Sequence, residues 1–379
     1  MTPAERPDLA ALTTFRVGGP AESLTEAATE AELIEFARAH PLSSPGPRSE
    51  EPDSLFVAGG SNLLIGDEGF PGPACLIRTR GLAWRTDEAD PGCVLVTAQA
   101  GHVWDDLVAE SVERGLSGLE ALSGIPGSVG ASPVQNVGAY GAEVADTLVS
   151  LRAFDRLTGR EREFLPAELG FGYRTSLLKR SAAELGLVRY VVLSVTFALR
   201  GGAGAAASVR YGQLAAALGA ELGDRVPVAQ VREAVIALRA SKGMVLDPAD
   251  HDTWSAGSFF TNPILPLPAD GSGVRPAPES VLPEGAPAYP VRDPHTGEAD
   301  PGLVKTSAAW LIEHAGFGRG FALDGGRAGL STKHTLALTN RGTARAADIV
   351  RLAAHIRDGV ERTFGIRMEP EPNLVGLTL

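Results

Sequence analysis

The chain has 379 residues, 44% of them hydrophobic and 21% charged, which is too long for one ordinary core and supplies enough apolar material for two or three. Its formal net charge of −12 offers no overall basic field to neutralise nucleic-acid phosphates, although a nucleotide-sized ligand needs only a local positive pocket. Cys75 and Cys93 are the two cysteines; each lies in an apolar, strand-like run and reads as a buried thiol, with neither a disulfide framework nor a metal site implied. The first residues carry no apolar signal core, and no stretch approaches the roughly 20 apolar residues of a membrane helix, so a soluble cytoplasmic protein is expected.

In chain order, Thr29-Glu30-Ala31-Glu32 has the spacing of a capping box and opens a helix with Leu33, Ile34, Phe36 and Ala37 on its apolar face. A Pro/Ser-rich loop at 41–52 precedes a short apolar strand at 55–58. Further strands are expected at 74–78 and 93–98, and a helix at 103–114 stopped by Gly115. Residues 118–141 are dense in glycine and read as loops. Strands return at 148–154 and 190–199, followed by a low-complexity turn or link at 201–207. A helix at 228–242 places Val228, Val231, Val235 and Leu238 on one face and ends at Gly243. The Pro-, Gly- and acid-rich stretch 264–302 reads as a mobile insertion. Helices at 306–315 and 344–364 follow, with a strand at 334–339 between them; Ile349, Leu352, Ile356, Val360 and Phe364 recur at helical spacing in the second.

Two glycine-rich motifs stand out. In Ala58-Gly59-Gly60-Ser61-Asn62-Leu63-Leu64, consecutive glycines let backbone N–H groups converge on an anion, with Ser61 and Asn62 as side-chain donors. Neither the dinucleotide fingerprint nor a phosphate-loop lysine is present, and alone the segment reads as an ordinary hairpin turn. Ile125-Pro126-Gly127-Ser128-Val129-Gly130 and Gln135-Asn136-Val137-Gly138-Ala139-Tyr140-Gly141 form a second region whose bare backbone suits a flat ring or a pyrophosphate.

Three further motifs carry polar residues in settings suited to chemistry. Phe171-Gly172-Tyr173-Arg174-Thr175-Ser176 offers a guanidinium fork matched to a carboxylate. Gly257-Ser258-Phe259-Phe260-Thr261-Asn262-Pro263 sets a serine after a glycine and before two aromatics, without the nucleophile-elbow pattern of acyl transfer. Glu369-Pro370-Glu371-Pro372 places two carboxylates around a proline. Each has a plainer reading, as a surface arginine, a core strand and a solvated terminus.

Taken together, these segments resemble the UDP-N-acetylenolpyruvoylglucosamine reductase family, from about Thr14 to Gly376. The resemblance implies an α+β architecture: an FAD-binding domain of the vanillyl-alcohol oxidase type, two α/β subdomains sandwiching FAD, plus a smaller α+β substrate-binding domain. It divides the chain into 1–75 (joined by 366–379), 76–226, and 227–365 with the insertion 264–302. It implies non-covalent FAD contacted by Gly59, Gly60, Ser61, Asn62, Leu63, Ile125, Pro126, Gly127, Gly130, Gln135, Asn136, Gly138, Ala139, Tyr140 and Gly141. NADPH is the implied hydride donor and UDP-N-acetylglucosamine enolpyruvate the implied substrate.

By the same resemblance Arg174, Ser258 and Glu371 are catalytic, with Ser258 as proton donor. Substrate contacts fall to Tyr173, Tyr211, Lys242, Asn262 and His314, and the Arg210-Tyr211-Gly212-Gln213-Leu214 loop suggests the type I branch. Thr261 and Asn373 depart from the family pattern, where lysine and arginine are frequent. No metal is implied, and a monomer is expected. An FAD-linked oxidase of the same fold and a non-enzymatic nucleotide-sugar sensor are the competing readings; neither needs Arg174, Ser258 and Glu371 together.

Overall fold

The computed structural model describes residues 6–42, 54–202, 205–267, 277–292 and 297–379. Its contacts divide the chain into two units, each gathered from separated segments. The first comprises 1–8, 20–60 and 70–245; the second comprises 9–19, 61–69 and 246–379.

In the first unit, Thr29 opens α1 (Glu30–Ala39) with the expected capping box: its side chain accepts from the Glu32 amide while Glu32 reaches back to the Thr29 amide. The helix accompanies a parallel three-stranded sheet ordered Ala21–Ala27, Phe70–Ile77, Leu55–Val57. A larger antiparallel sheet runs Arg160–Phe164, Leu148–Asp155, Tyr190–Gly201, Cys93–Gln99, Leu82–Thr86. Against the larger sheet, α2 (Trp104–Glu113) buries Trp104, Leu107 and Val108, with Trp104 edge-on to Phe197 at 5.9 Å. The indole N–H of Trp104 is satisfied by the Leu122 carbonyl at 3.0 Å, so burying this large ring leaves no orphan donor. Ser176 caps α3 (Leu177–Leu185). A satellite core of Val209, Leu214, Val228, Val231 and Val235 joins α4 (Gly212–Leu218) to α5 (Val228–Ser241).

The second unit is organised around α7 (Ala346–Phe364), whose Ile349, Leu352, Ile356 and Val360 are fully or nearly fully buried. Each such side chain is worth about 1.5–3 kcal/mol on burial. They share a core with Phe15, Val17, Leu64, Phe259, Phe260 and, from α6 (Ala308–His314), Leu311 and Ile312. Asp67 caps α7 from a distant segment, accepting from the amides of Ala346 (2.8 Å) and Ala347 (3.1 Å), where a carboxylate also complements the helix dipole. The strand Leu63–Ile65 pairs in parallel with Asn373–Val375.

Three local expectations change. The described parts of 264–302 are ordered into an antiparallel sheet, Ile264–Pro266, Ala299–Lys305, Tyr289–Arg292, rather than a loose insertion. Pro266 and Pro290 sit on its outer strands, where a missing N–H need not break the ladder. Residues 268–276 and 293–296 of that stretch, and 43–53 around the Pro/Ser loop, lie outside the described residues. The expected link at 201–207 is partly strand: Gly201 ends one, and Ala206–Ser208 pairs with Arg225–Pro227, with 203–204 outside the description. The strand expected at 334–339 is Leu338–Asn340, because Ser331 to Ala337 closes as a turn through a 2.8 Å amide–carbonyl bond. Both cysteines are buried and free, and burial pushes the Cys75 thiol up to about 12, which makes it inert.

Candidate active site

In the first unit the glycine motifs meet each other. Gly59 follows the strand Leu55–Val57, and a Cβ there would lie 2.5 Å from Gly127 Cα, so only hydrogen fits. Gly127 itself has φ of +130°, in the region that favours glycine. The 127–130 segment is zipped to 100–104 by bonds from Trp104 N to Gly127 O (3.1 Å), Val129 N to His102 O (2.9 Å) and Gly130 N to Ala100 O (2.8 Å). Beside this bare backbone the Ser128 hydroxyl is buried without a hydrogen bond among the described residues. A cradle closed to any Cβ, with an orphan hydroxyl in its wall, fits a cofactor's phosphate or ring. Ile125 and Pro126 precede it in the same loop. Gly124 is held by Asp105, which accepts its amide at 2.6 Å and grips Arg232 through two bonds of 2.7 and 2.9 Å.

The second glycine region is braced by side chains. Asn136 is fully buried and adopts φ of +47°. Its amide donates to Glu143 (2.6 Å) and the Gly172 carbonyl (3.3 Å) and accepts from Ala145 N (3.0 Å). Its side chain therefore holds the loop together. Gln135 accepts from Lys179, which also donates to the Arg174 carbonyl at 3.1 Å. Gly138 and Ala139 form a two-residue strand against Ala142 and Glu143, with Tyr140 at φ +50° and Gly141 at φ +83° in the turn.

Arg174 occupies a tight turn closed by reciprocal bonds between Gly172 and Thr175 (3.1 and 3.2 Å), with φ of +53°. An arginine in the left-handed region is uncommon and marks a position where side-chain direction matters more than backbone ease. Its guanidinium donates to the Gly138 carbonyl at 3.1 Å and lies 5.6 Å from the Tyr173 ring. Distant along the chain but close in space, Tyr211 meets Tyr140 edge-on at 5.9 Å, and Lys242 sits 5.7 Å from the Tyr140 ring. Sequence reading missed Arg239, a nearly buried guanidinium one turn before Lys242, whose pKa burial lowers to about 10. Only its position on the buried face of α5 could have flagged it.

The second unit holds the other residues. Ser258 is half-buried and follows Gly257, whose φ is +74° and around which space is open. The segment from Phe259 to Thr261 runs beside Glu369 to Glu371: Glu371 N donates to Phe259 O (2.8 Å) and Thr261 N to Glu369 O (3.0 Å). Ser258 and Glu371 are thus brought onto neighbouring backbone. Phe259 packs on Phe260 and Phe15, fixing this strand in the core. Asn62 donates to the Glu371 carbonyl at 3.3 Å, and Asn373 N donates to Asn62 O at 2.9 Å, so Ser61, Asn62 and Leu63 lie in the same unit as Ser258 and Glu371. Asn262 accepts from Ala308 N at 3.0 Å, at the start of α6. His314, at its end, is exposed and stacked on Trp310 at 3.8 Å. Thr261 also directs its hydroxyl to the Glu369 carbonyl at 3.4 Å.

Comparison with known proteins places these features. A model of an FAD binding domain matches residues 49–164, and a model of the UDP-N-acetylenolpyruvoylglucosamine reductase C-terminal domain matches 247–375. A UDP-N-acetylenolpyruvoylglucosamine reductase from Nocardia farcinica is 55% identical over 98% of this chain and 89% of its own. The chain belongs to the UDP-N-acetylenolpyruvoylglucosamine reductase family. A reductase of the same name from Saccharopolyspora erythraea is 52% identical, covering 98% and 95% of the two chains. The crystal structure of a UDP-N-acetylenolpyruvylglucosamine reductase from Thermus caldophilus superposes with a TM-score of 0.59 at 25% identity over 98% of each chain. The FAD-binding domain and the mixed α+β architecture that the resemblance implied stand for this reductase family member. Among the described residues, no helix is long and apolar enough to cross a membrane.

Proposed function

We propose that this chain is an FAD-dependent oxidoreductase that uses NADPH to reduce UDP-N-acetylglucosamine enolpyruvate to UDP-N-acetylmuramate, a step in making peptidoglycan precursors. The observation that carries the reading is the backbone ladder that joins the Ser258 segment to Glu371, within the residues matched by the reductase C-terminal model. FAD, when bound, carries hydride from NADPH to the terminal vinyl carbon of the substrate. The bare backbone of Gly59, Gly60, Gly127, Gly130, Gly138, Ala139 and Gly141, with Ser128, would hold it.

Hydride addition drives negative charge into the substrate carboxylate. Arg174, its guanidinium aimed by the Gly138 carbonyl, stabilises that charge by its own. Glu371 stabilises it as a protonated hydrogen-bond donor. Ser258 gives its proton to the carbon bearing the ether oxygen; a hydroxyl is a weak acid and suffices only because the enolate is strongly basic. Tyr211, Lys242, Asn262 and His314 bind the nucleotide sugar. The enzyme works as a monomer in the cytoplasm. The test is anaerobic stopped-flow absorbance of the flavin band: NADPH should bleach it, and UDP-N-acetylglucosamine enolpyruvate should restore it. Rapid restoration by air with no response to the sugar nucleotide would instead indicate an oxidase.

A further inference from the structure

Lys242 ends its approach on Gln213. Its ammonium donates to Gln213 Oε1 at 2.7 Å, and no carboxylate among the described residues lies within ion-pair distance of it. Burial, then the neighbouring charge of Arg239, holds the Lys242 ammonium below its ordinary value. A lysine kept charged here needs an acceptor, and the structure supplies a neutral one. Gln213 stands in the first turn of α4, two residues after Tyr211, whose ring meets Tyr140, and Tyr140 in turn lies beneath the Lys242 ammonium. The four residues therefore close a circuit in the first unit: Tyr211, Gln213, Lys242, Tyr140.

We propose that Gln213 is a positioning residue for diphosphate binding: its amide oxygen takes one ammonium proton of Lys242, aims the remaining two at an incoming diphosphate, and ties that grip to the segment carrying Tyr211. The proposal rests on the reading of Lys242 as a diphosphate ligand. A neutral acceptor suits the task better than a carboxylate. An ammonium has three donors, so one bond to Gln213 leaves two for phosphate oxygens, whereas a carboxylate would cancel the charge that attracts the ligand.

The experiment is calorimetric titration of the FAD-loaded enzyme with UDP. Gln213→Ala should weaken Kd about tenfold, the scale of one hydrogen bond to a charged group. Gln213→Glu should weaken it further, which a merely structural role for this exposed side chain would not produce. In a Lys242→Met background, which itself binds UDP weakly, Gln213→Ala should change Kd by less than about twofold, since the two residues act as a unit. An unchanged Kd in Gln213→Ala, with Lys242→Met weakened, overturns the role of Gln213 alone. Equal losses from Gln213→Ala in both backgrounds overturn it too. An unchanged Kd in Lys242→Met overturns the diphosphate reading itself, and this proposal with it.

Discussion

The amide of Glu371 donates to the carbonyl of Phe259 at 2.8 Å, so the residue after Ser258 and the acidic residue near the end of the chain share one rung. The rung is made by backbone. Side-chain substitutions at Ser258 and Glu371 leave it in place, and loss of function there is separable from loss of fold.

Ser258→Ala should keep NADPH-driven bleaching of the flavin and lose its restoration by substrate, with turnover down about 10²–10⁴-fold, the usual cost of a missing general acid. Single-turnover kinetics of each half-reaction decide the matter. If substrate restores the flavin at the normal rate, Ser258 is not the proton donor.

Arg174 sits at φ +53°. Arg174→Gly removes the strain of a left-handed arginine, on the order of 1–3 kcal/mol, while costing backbone entropy and the bond to Gly138. Stability should therefore change by no more than about 1 kcal/mol, and substrate-driven turnover should fall at least about 10²-fold. Arg174→Lys should not restore it, because a lysine lacks the planar fork. A melting curve beside a kcat measurement tests both halves; a variant that unfolds but works when folded would reverse the argument.

Burial pushes the Asp105 carboxyl up, but hydrogen bonds from Arg232 and the Gly124 amide, with the charges of Arg232 and Arg239, outweigh it and leave the folded value below 3.8. A depressed carboxylate stabilises the fold above its unfolded pKa, and that contribution is lost as pH falls through the folded value. Asp105→Asn should cost on the order of 1–3 kcal/mol at pH 7, since the pair is only partly buried. The gap from the parent should narrow below about pH 4. Urea midpoints at pH 7, 5 and 3 measure this, and a gap that stays constant contradicts it.

Gly59→Ala places a carbon against the backbone of Gly127, which cannot yield as a flexible side chain would. The expected result is a loss of about 1–3 kcal/mol together with a lower FAD content, read from the ratio of flavin to protein absorbance. Gly318→Ala, where a Cβ meets nothing within 4 Å, should behave like the parent. Full FAD retention in Gly59→Ala would remove Gly59 from the cradle.

Much of this was legible because it depends on local chemistry. The Thr29 capping box and the apolar face of α7 follow from residue types at short spacing. Other features depend on pairings between distant residues. Asp105 and Arg232 read as ordinary helix charges until packing brings them together. Arg239 looks like any arginine on an amphipathic helix, although it is nearly buried. The sheet within 264–302 was masked by proline, which argues against a central strand but not against an outer one. The left-handed turns at Tyr140 and Arg174 were hidden because these residue types seldom adopt them.

The second unit draws on 9–19 and 61–69 as well as 246–379. A ribosome releases Phe15, Val17 and Leu64 long before Ile349, Leu352 and Ile356, the partners with which they share a core. The strand that pairs with Leu63–Ile65, Asn373–Val375, is made later still. This half of the protein therefore cannot close its core before its last helix has been made. Its early apolar residues must wait, shielded or exposed, until α7 has been made, and a truncation before α7 would disable a structure begun hundreds of residues earlier.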